Sequence, residues 1–196
     1  MKKIICFIIL SLIPMFSYAQ FCVSEGGLKV CGENEKFIVY DFPGLDASEI
    51  YKRAKTAITN IYVSGKNVIS ENENEIISVN GISSKDIYCE KKVLGKNMIW
   101  FFYMNYNISM KFKNGKMRVD IPNINSIYQD TEERLPLIFQ RGNNYKVVPS
   151  CIYLYDKKGN VYSPLKSVKD GIESFFNSLV NSIVSEIESD NQSEDW

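Results

Sequence analysis

The chain has 196 residues, 45% hydrophobic and 23% charged, with 23 basic side chains against 23 acidic ones and no His. That apolar share supports a real core, and that length supports one domain with an appended subdomain. Zero formal charge argues against a protein built to coat nucleic acid, and the lack of His removes Ser-His-Asp and Cys-His machinery together with the commonest transition-metal ligand.

The first element reads as an export signal. Lys2 and Lys3 precede the apolar run Ile4 to Met15, Pro14 breaks it, and Ser17-Tyr18-Ala19 puts small residues at the cleavage positions. The run is too short to span a bilayer comfortably, and no second long apolar stretch follows, so no integral membrane segment is expected after cleavage. Cleavage after Ala19 leaves Gln20 first, with 21 basic against 23 acidic side chains and a net charge of −2. Cys22 is not the first residue after that point and has no small residues just before it. Soluble export, to the periplasm or outside, is therefore favoured over a lipid anchor. The cysteines that remain are Cys22, Cys31, Cys89 and Cys151, an even number in an oxidising compartment. Cys22–Cys31, closing a Gly26-Gly27 turn, is the favoured bridge, with Cys89–Cys151 as the second. Cys-x-x-Cys spacing is absent, which disfavours zinc; no metal or cofactor is expected.

Residues 20–35 read as an N-terminal arm. Phe37 to Phe42 is β-rich and ends at Pro43-Gly44, which predicts a strand. Asp46 with Glu49 forms a capping box, and Leu45 with Ile50 a hydrophobic staple. Ile50, Ala54, Ala57, Ile58 and Ile61 recur at helical spacing, so a helix is predicted over about 47–63. Two short strands follow, joined at Asn72-Glu73-Asn74, and 81–97 reads as a polar connection. Trp100, Phe102, Met104, Tyr106, Ile108, Met110 and Phe112 then alternate strictly, the pattern of a long strand with one buried face. Asn114-Gly115 predicts a two-residue hairpin turn, which sets Phe112 opposite Met117, Met110 opposite Val119 and Ile108 opposite Ile121.

Residues 126–162 read as an inserted segment, with a second hairpin around 156–160. Val168, Ile172, Phe175, Phe176, Leu179, Ile183 and Ile187 mark a final helix over 163–188. Acids at its end oppose the helix dipole, so it should fray from Glu186 into an acidic tail at 189–196.

This order of elements, behind a signal ending Ser-Tyr-Ala-Gln, resembles a family of uncharacterised exported bacterial proteins. That family is described as a domain of unknown function with a TATA-binding-protein-like (TBP-like) fold. The likeness is carried by Leu45 to Ala54, by Val68-Ile69, by the aromatic strand into Lys113-Asn114-Gly115-Lys116, and by Arg118-Val119; it covers roughly 36–125. It implies an α+β fold, a curved antiparallel sheet packed against two helices. It implies no activity, and DNA binding is not inherited from the fold's name.

Glu71, Glu73 and Glu75 read as a solvated hairpin tip rather than a calcium loop. Lys111, Lys113, Lys116 and Arg118 share the outward face of the long hairpin, a candidate surface for a partner or for the phosphate of a lipid or glycan. Phe101 and Tyr103 also point outward, which predicts a covered surface: either 126–162 lies over it, or a ligand or partner does. No catalytic constellation emerges. The reading is an exported, non-catalytic binding or structural module of the bacterial cell envelope, with an envelope protein or a glycan or lipid ligand as partner. The alternatives are a carboxylate-based hydrolase of the envelope and a membrane-surface protein using the last helix.

Overall fold

The computed structural model describes residues 20–32, 34–62, 68–83, 85–93, 95–144 and 150–189. The signal segment, residue 63 at the end of the first expected helix and the tail beyond Ser189 lie outside the described residues.

The arm is a hairpin, β1 (Phe21–Ser24) with β2 (Gly27–Val30), tied by the Cys22–Cys31 disulfide with Cα atoms 5.2 Å apart. Next comes β3 (Phe37–Asp41), then helix α1 (Ala47–Ile61). Asp46 caps α1 by accepting from the Glu49 backbone N–H at 2.8 Å. The Glu49 carboxylate does not close the box; it holds Arg53 at 2.7 Å. Strands β4 (Ile69–Asn72) and β5 (Ile76–Ile82) form the expected short hairpin, with Asn74 at φ 61 in its turn.

The stretch 81–97 is not a loop. Gly81 and Ile82 continue β5, and β6 (Tyr88–Val93) pairs with the start of β7 (Lys96–Lys113). The charged side chains of β6 hide its alternation, because its outer face and its free edge are wet. After Lys113 the chain turns into β8 (Lys116–Asp120) with Phe112 opposite Met117 and Met110 opposite Val119. The β7–β8 ladder stops at Met110–Val119, so Ile108 is not set opposite Ile121. On the other edge Ile108 pairs with Val79 of β5, and the chain leaves β8 at Ile121-Pro122 to start β9 (Asn123–Gln129) farther along β7.

One sheet results, in the order β3-β8-β7-β5-β4, with β6 and β9 pairing with the first half of β7. The even-numbered residues from Phe102 to Phe112 are buried, as the alternation predicts. Trp100 is an exception: it is only half-buried.

Beyond β9 the chain extends the sheet edge-on and then forms a separate parallel pair, β10 (Leu137–Arg141) with β11 (Ile152–Tyr155). The turn at 156–160 exists, but the expected second hairpin is reduced to one bridge, Tyr155 with Val161. The main partner of β11 is β10, a pairing between distant segments that no local turn signals. A 3-10 turn over Ser163–Leu165 leads into helix α2 (Lys166–Glu188).

Helices α1 and α2 cover the inner face. Tyr51 of α1 meets Phe112 edge-on at 5.6 Å, and Phe176 of α2 meets Tyr106 at 5.3 Å. Tyr106 also crosses Gly81 on the next strand; a Cβ there would sit 2.5 Å from its ring, so only Gly fits.

Helix α2 does not fray at Glu186. It runs to Glu188 because Arg53 of α1 donates to the carbonyls of Ile187 at 2.9 Å and Ser189 at 3.1 Å. A cation from another element thus offsets the unfavourable end of the dipole. The same helix holds the N-terminal hairpin. Asn177 accepts from the Phe21 N–H and donates to its carbonyl, and Glu173 accepts from the Val23 N–H at 2.7 Å. The apolar stripe of α2, Val168 to Ile187, lies in the core, so it is not free to lie on a membrane.

Candidate functional site

The helices leave the outer face of the sheet uncovered, and that face has three zones. At the hairpin end are the four basic residues singled out from sequence. Lys111 stands opposite Arg118 and Lys113 opposite Lys116, as the register predicts. Acids from neighbouring positions meet them. Asp120 lies 2.6 Å from Arg118 and 3.6 Å from Lys111, and Asp41 lies 2.9 Å from Lys116. Arg118 also stacks 3.9 Å from the Phe37 ring centroid. Among the described residues Lys113 has no ion pair. The basic quartet is therefore largely balanced where it stands.

The middle zone is amide and hydroxyl. Asn105 donates to Ser126 at 2.8 Å, Asn107 to Asn80 at 3.0 Å, and Ser78 to Ser109 at 3.2 Å. These groups keep donor and acceptor capacity toward solvent.

The far zone is aromatic. Phe101 faces Tyr88 across the β6–β7 pair, with centroids 6.2 Å apart, and Tyr103 faces Tyr128 across β7–β9 at 6.0 Å. Lys85 lies 5.6 Å from the Phe101 ring and Arg134 5.6 Å from Tyr128. The segment 126–162 contributes Tyr128 beside Tyr103 as a strand neighbour; β9 widens the sheet edge-on and does not lie over Tyr103. Tyr88 and Tyr128 escape the sequence reading because β6 and β9 are short and polar. Their signal is the alternation of Cys89 and Ile127, which are buried, with the tyrosines that precede or follow them.

Two cavities flank this sheet on its helix side. One, of about 280 Å3, lies between Trp100 and Leu135, Ile152, Tyr162 and Leu165. The other, of about 520 Å3, runs between Ile82, Tyr106 and the α2 residues Phe175 and Leu179. The described residues lining these two include a single carboxylate, Asp86. Glu71 is not at either one: it accepts from the Tyr51 hydroxyl and from Lys55, which together hold its carboxyl below the usual range.

The expected Cys89–Cys151 bridge is not formed. Cys89 is buried on the inner face opposite Trp100, and burial pushes its thiol pKa up. Cys151 is half-buried at the smaller cavity. The sequence could not separate the pairs because Cys22–Cys31 is local, whereas Cys89 and Cys151 are placed by the pairing of distant strands.

Residues 38–126 match the domain of unknown function with TBP-like fold, DUF4468. This stretch is similar to a DUF4468 domain. A DUF4468 family protein from Bacteroides ovatus, solved by crystallography, aligns with 80% of this chain and 86% of its own at 14% identity, with a TM-score of 0.51. A TBP-like protein from Parabacteroides distasonis aligns with 80% of this chain and 96% of its own at 12% identity, with a TM-score of 0.46. At such identity the first likeness is one of fold. No curated protein matches. The chain is α+β, and no helix among the described residues is long and apolar enough to cross a membrane. The DUF4468 match ends within β9, so Tyr128 and the outer wall of the smaller cavity come from beyond it.

Proposed function

We propose that this chain is an exported, non-catalytic binding module of the bacterial cell envelope that takes a glycan on the outer face of its sheet. The observation that carries the reading is the row Tyr88, Phe101, Tyr103 and Tyr128, which leads directly into the Asn105, Asn107 and Asn80 band. Sugar rings present apolar C–H faces, which stack on aromatic rings, and hydroxyls, which pair with amides. Aromatics held by cross-strand neighbours lose little side-chain freedom when a ligand settles on them. The signal-like start supports export. The net charge of −2 after cleavage and the balanced Lys-Arg quartet argue for a neutral or weakly charged partner over a polyanion.

Purified peptidoglycan sacculi and soluble chitotetraose, which carries the same amino-sugar backbone, are the probes. Retention of the protein on sacculi, competed by chitotetraose, is the expected result. Tyr103→Ala should weaken it about tenfold, on the scale of a lost aromatic anchor. Substituting Lys111, Lys113, Lys116 and Arg118 together by Ala should change it less than about twofold, since exposed paired charges contribute little. A wild-type protein that passes over sacculi without retention, or a Tyr103→Ala variant that binds as well as wild type, would falsify the reading. Recovery of the protein from the envelope fraction with Gln20 as its first residue is the matching expectation for export.

A further inference from the structure

We propose that the cavity behind Trp100 is a binding site for a small carboxylic acid with an apolar body, of the size of a medium-chain fatty acid. It lies on the inner face of the sheet, past the point where the helices cover it, and Leu135, Ile152, Tyr162 and Leu165 supply its opposite wall. Its volume of about 280 Å3 is just under the ~300–1,000 Å3 of sites that hold drug-sized molecules, which selects a smaller ligand. Trp100, Leu135, Ile152 and Leu165 make its walls apolar.

Two polar groups set the chemistry of the head. Gln129 is only 5% exposed, yet its side-chain amide makes no hydrogen bond among the described residues. No buried side-chain N or O atom among them is both sealed from solvent and unpaired, so that amide opens on the cavity it lines. An amide with no protein partner that opens on an apolar space keeps its donor capacity, and a ligand oxygen can accept from it. Lys91 stands at the mouth, its ammonium 4.7 Å from the Trp100 ring centroid. No carboxylate is among the described lining residues, so the local charge favours an anionic head over a neutral one. Each wall group has a share: the apolar side chains take the tail, Gln129 Nε2 donates to one carboxylate oxygen, and Lys91 supplies the charge.

The site is independent of the outer face, so failure of either proposal leaves the other standing. The chain has two Trp residues, and Trp196→Phe makes Trp100 the sole reporter. In that background octanoate should give a saturable change in Trp100 emission at least tenfold tighter than octanol gives. Lys91→Gln, at an exposed residue where folding is not at stake, should erase the preference for octanoate. Gln129→Leu should weaken octanoate about tenfold, the scale of one hydrogen bond to a charged group, and Ile152→Phe should block binding by filling the space. Cys151 gives a second readout: octanoate should slow its reaction with N-ethylmaleimide, followed on the Cys151 peptide by mass. An absent or unsaturable emission change overturns the proposal. So does octanol binding as tightly as octanoate, an undiminished affinity in Lys91→Gln, or an unprotected Cys151.

Discussion

The two halves of β7 carry the same alternating pattern and end in different environments. From Asn105 to Lys113 the strand has β5 on one edge and β8 with the start of β9 on the other, with α1 and α2 over its inner face, and every even-numbered residue there is buried. From Lys96 to Met104 its neighbours are β6 and β9, and the inner face at Trp100 meets Leu135, Ile152 and Leu165 across a cavity. There the pattern decays: Trp100 is half-buried, and Met98 and Ile99, on opposite faces, are 46% and 52% exposed. Alternation states which side chains share a face. How dry that face becomes depends on what lies over it: packed helices over Asn105–Lys113, and a cavity beside Trp100.

Two glycines, Gly81 on β5 beside the helix-covered half and Gly142 after β10, give the strongest test of this contrast. At Gly81 an alanine Cβ would sit 2.5 Å from the ring of Tyr106, which is fully buried between two Phe rings of α2 and cannot swing away. Gly81→Ala should cost about 3 kcal/mol in urea denaturation, the upper part of the overpacking range. In a Tyr106→Leu background the added cost of the same alanine should fall to below ~1 kcal/mol. At Gly142 the nominal clash, 2.1 Å from Tyr153, is worse on paper. Tyr153 is half-buried at the edge of 126–162 and can rotate outward, so Gly142→Ala should cost about 1 kcal/mol. Equal costs would mean that the surroundings of the Lys96–Met104 half are packed as tightly as those of the Asn105–Lys113 half, and the contrast would fail.

A pH titration sharpens it next. Burial, and then the hydrogen bond with Tyr62, raise the Tyr106 hydroxyl well above its ordinary value, and burial raises Tyr62 too. Both phenols stay protonated in the folded state at a pH where the unfolded chain has released its protons. That stability is fully present below about pH 10 and is lost as pH rises from there toward the folded values. The slope should be about 1.4 kcal/mol per pH unit for each proton retained. Tyr106→Phe should shallow the alkaline slope in denaturation series run between pH 9 and 11. An unchanged slope would place the loss in other tyrosines.

The smallest expected effect is at the far end of the covered half. Arg53→Ala removes the two bonds to the last carbonyls of α2 and should cost about 1 kcal/mol. Hydrogen exchange should then quicken in the last turn of α2 and not near Val168. Uniform quickening along the helix would show that Arg53 stabilises the whole fold rather than one terminus.

Legibility followed the range of the interactions. The cap at Asp46, the α1 and α2 stripes, the β7–β8 register and the Cys22–Cys31 bridge depend on residues within one turn, one hairpin or one helix face, and the residue order states them. The strand β6, the placement of β9, the parallel β10–β11 pair and the free Cys89 and Cys151 depend on partners far along the chain. The basic quartet was readable as a row, but its neutralisation was not, because Asp41 comes from β3 and Asp120 from the end of β8. Tyr88 and Tyr128 were missed because the strands that carry them are short, and period two over so few residues is weak beside their charged neighbours.

What residue order alone determined here is a long ribbon with a wet face and a dry face, two amphipathic helices to dry it, and a start that looks exported. These follow from 2.0 and 3.6 residue periods, which the backbone imposes locally. The tertiary structure decided which outward residues stand together, which charges cancel, and that the amide of Gln129 opens on an apolar space behind Trp100. Those outcomes turn on distances between segments that are remote in sequence, and such distances exist only once the chain has closed on itself.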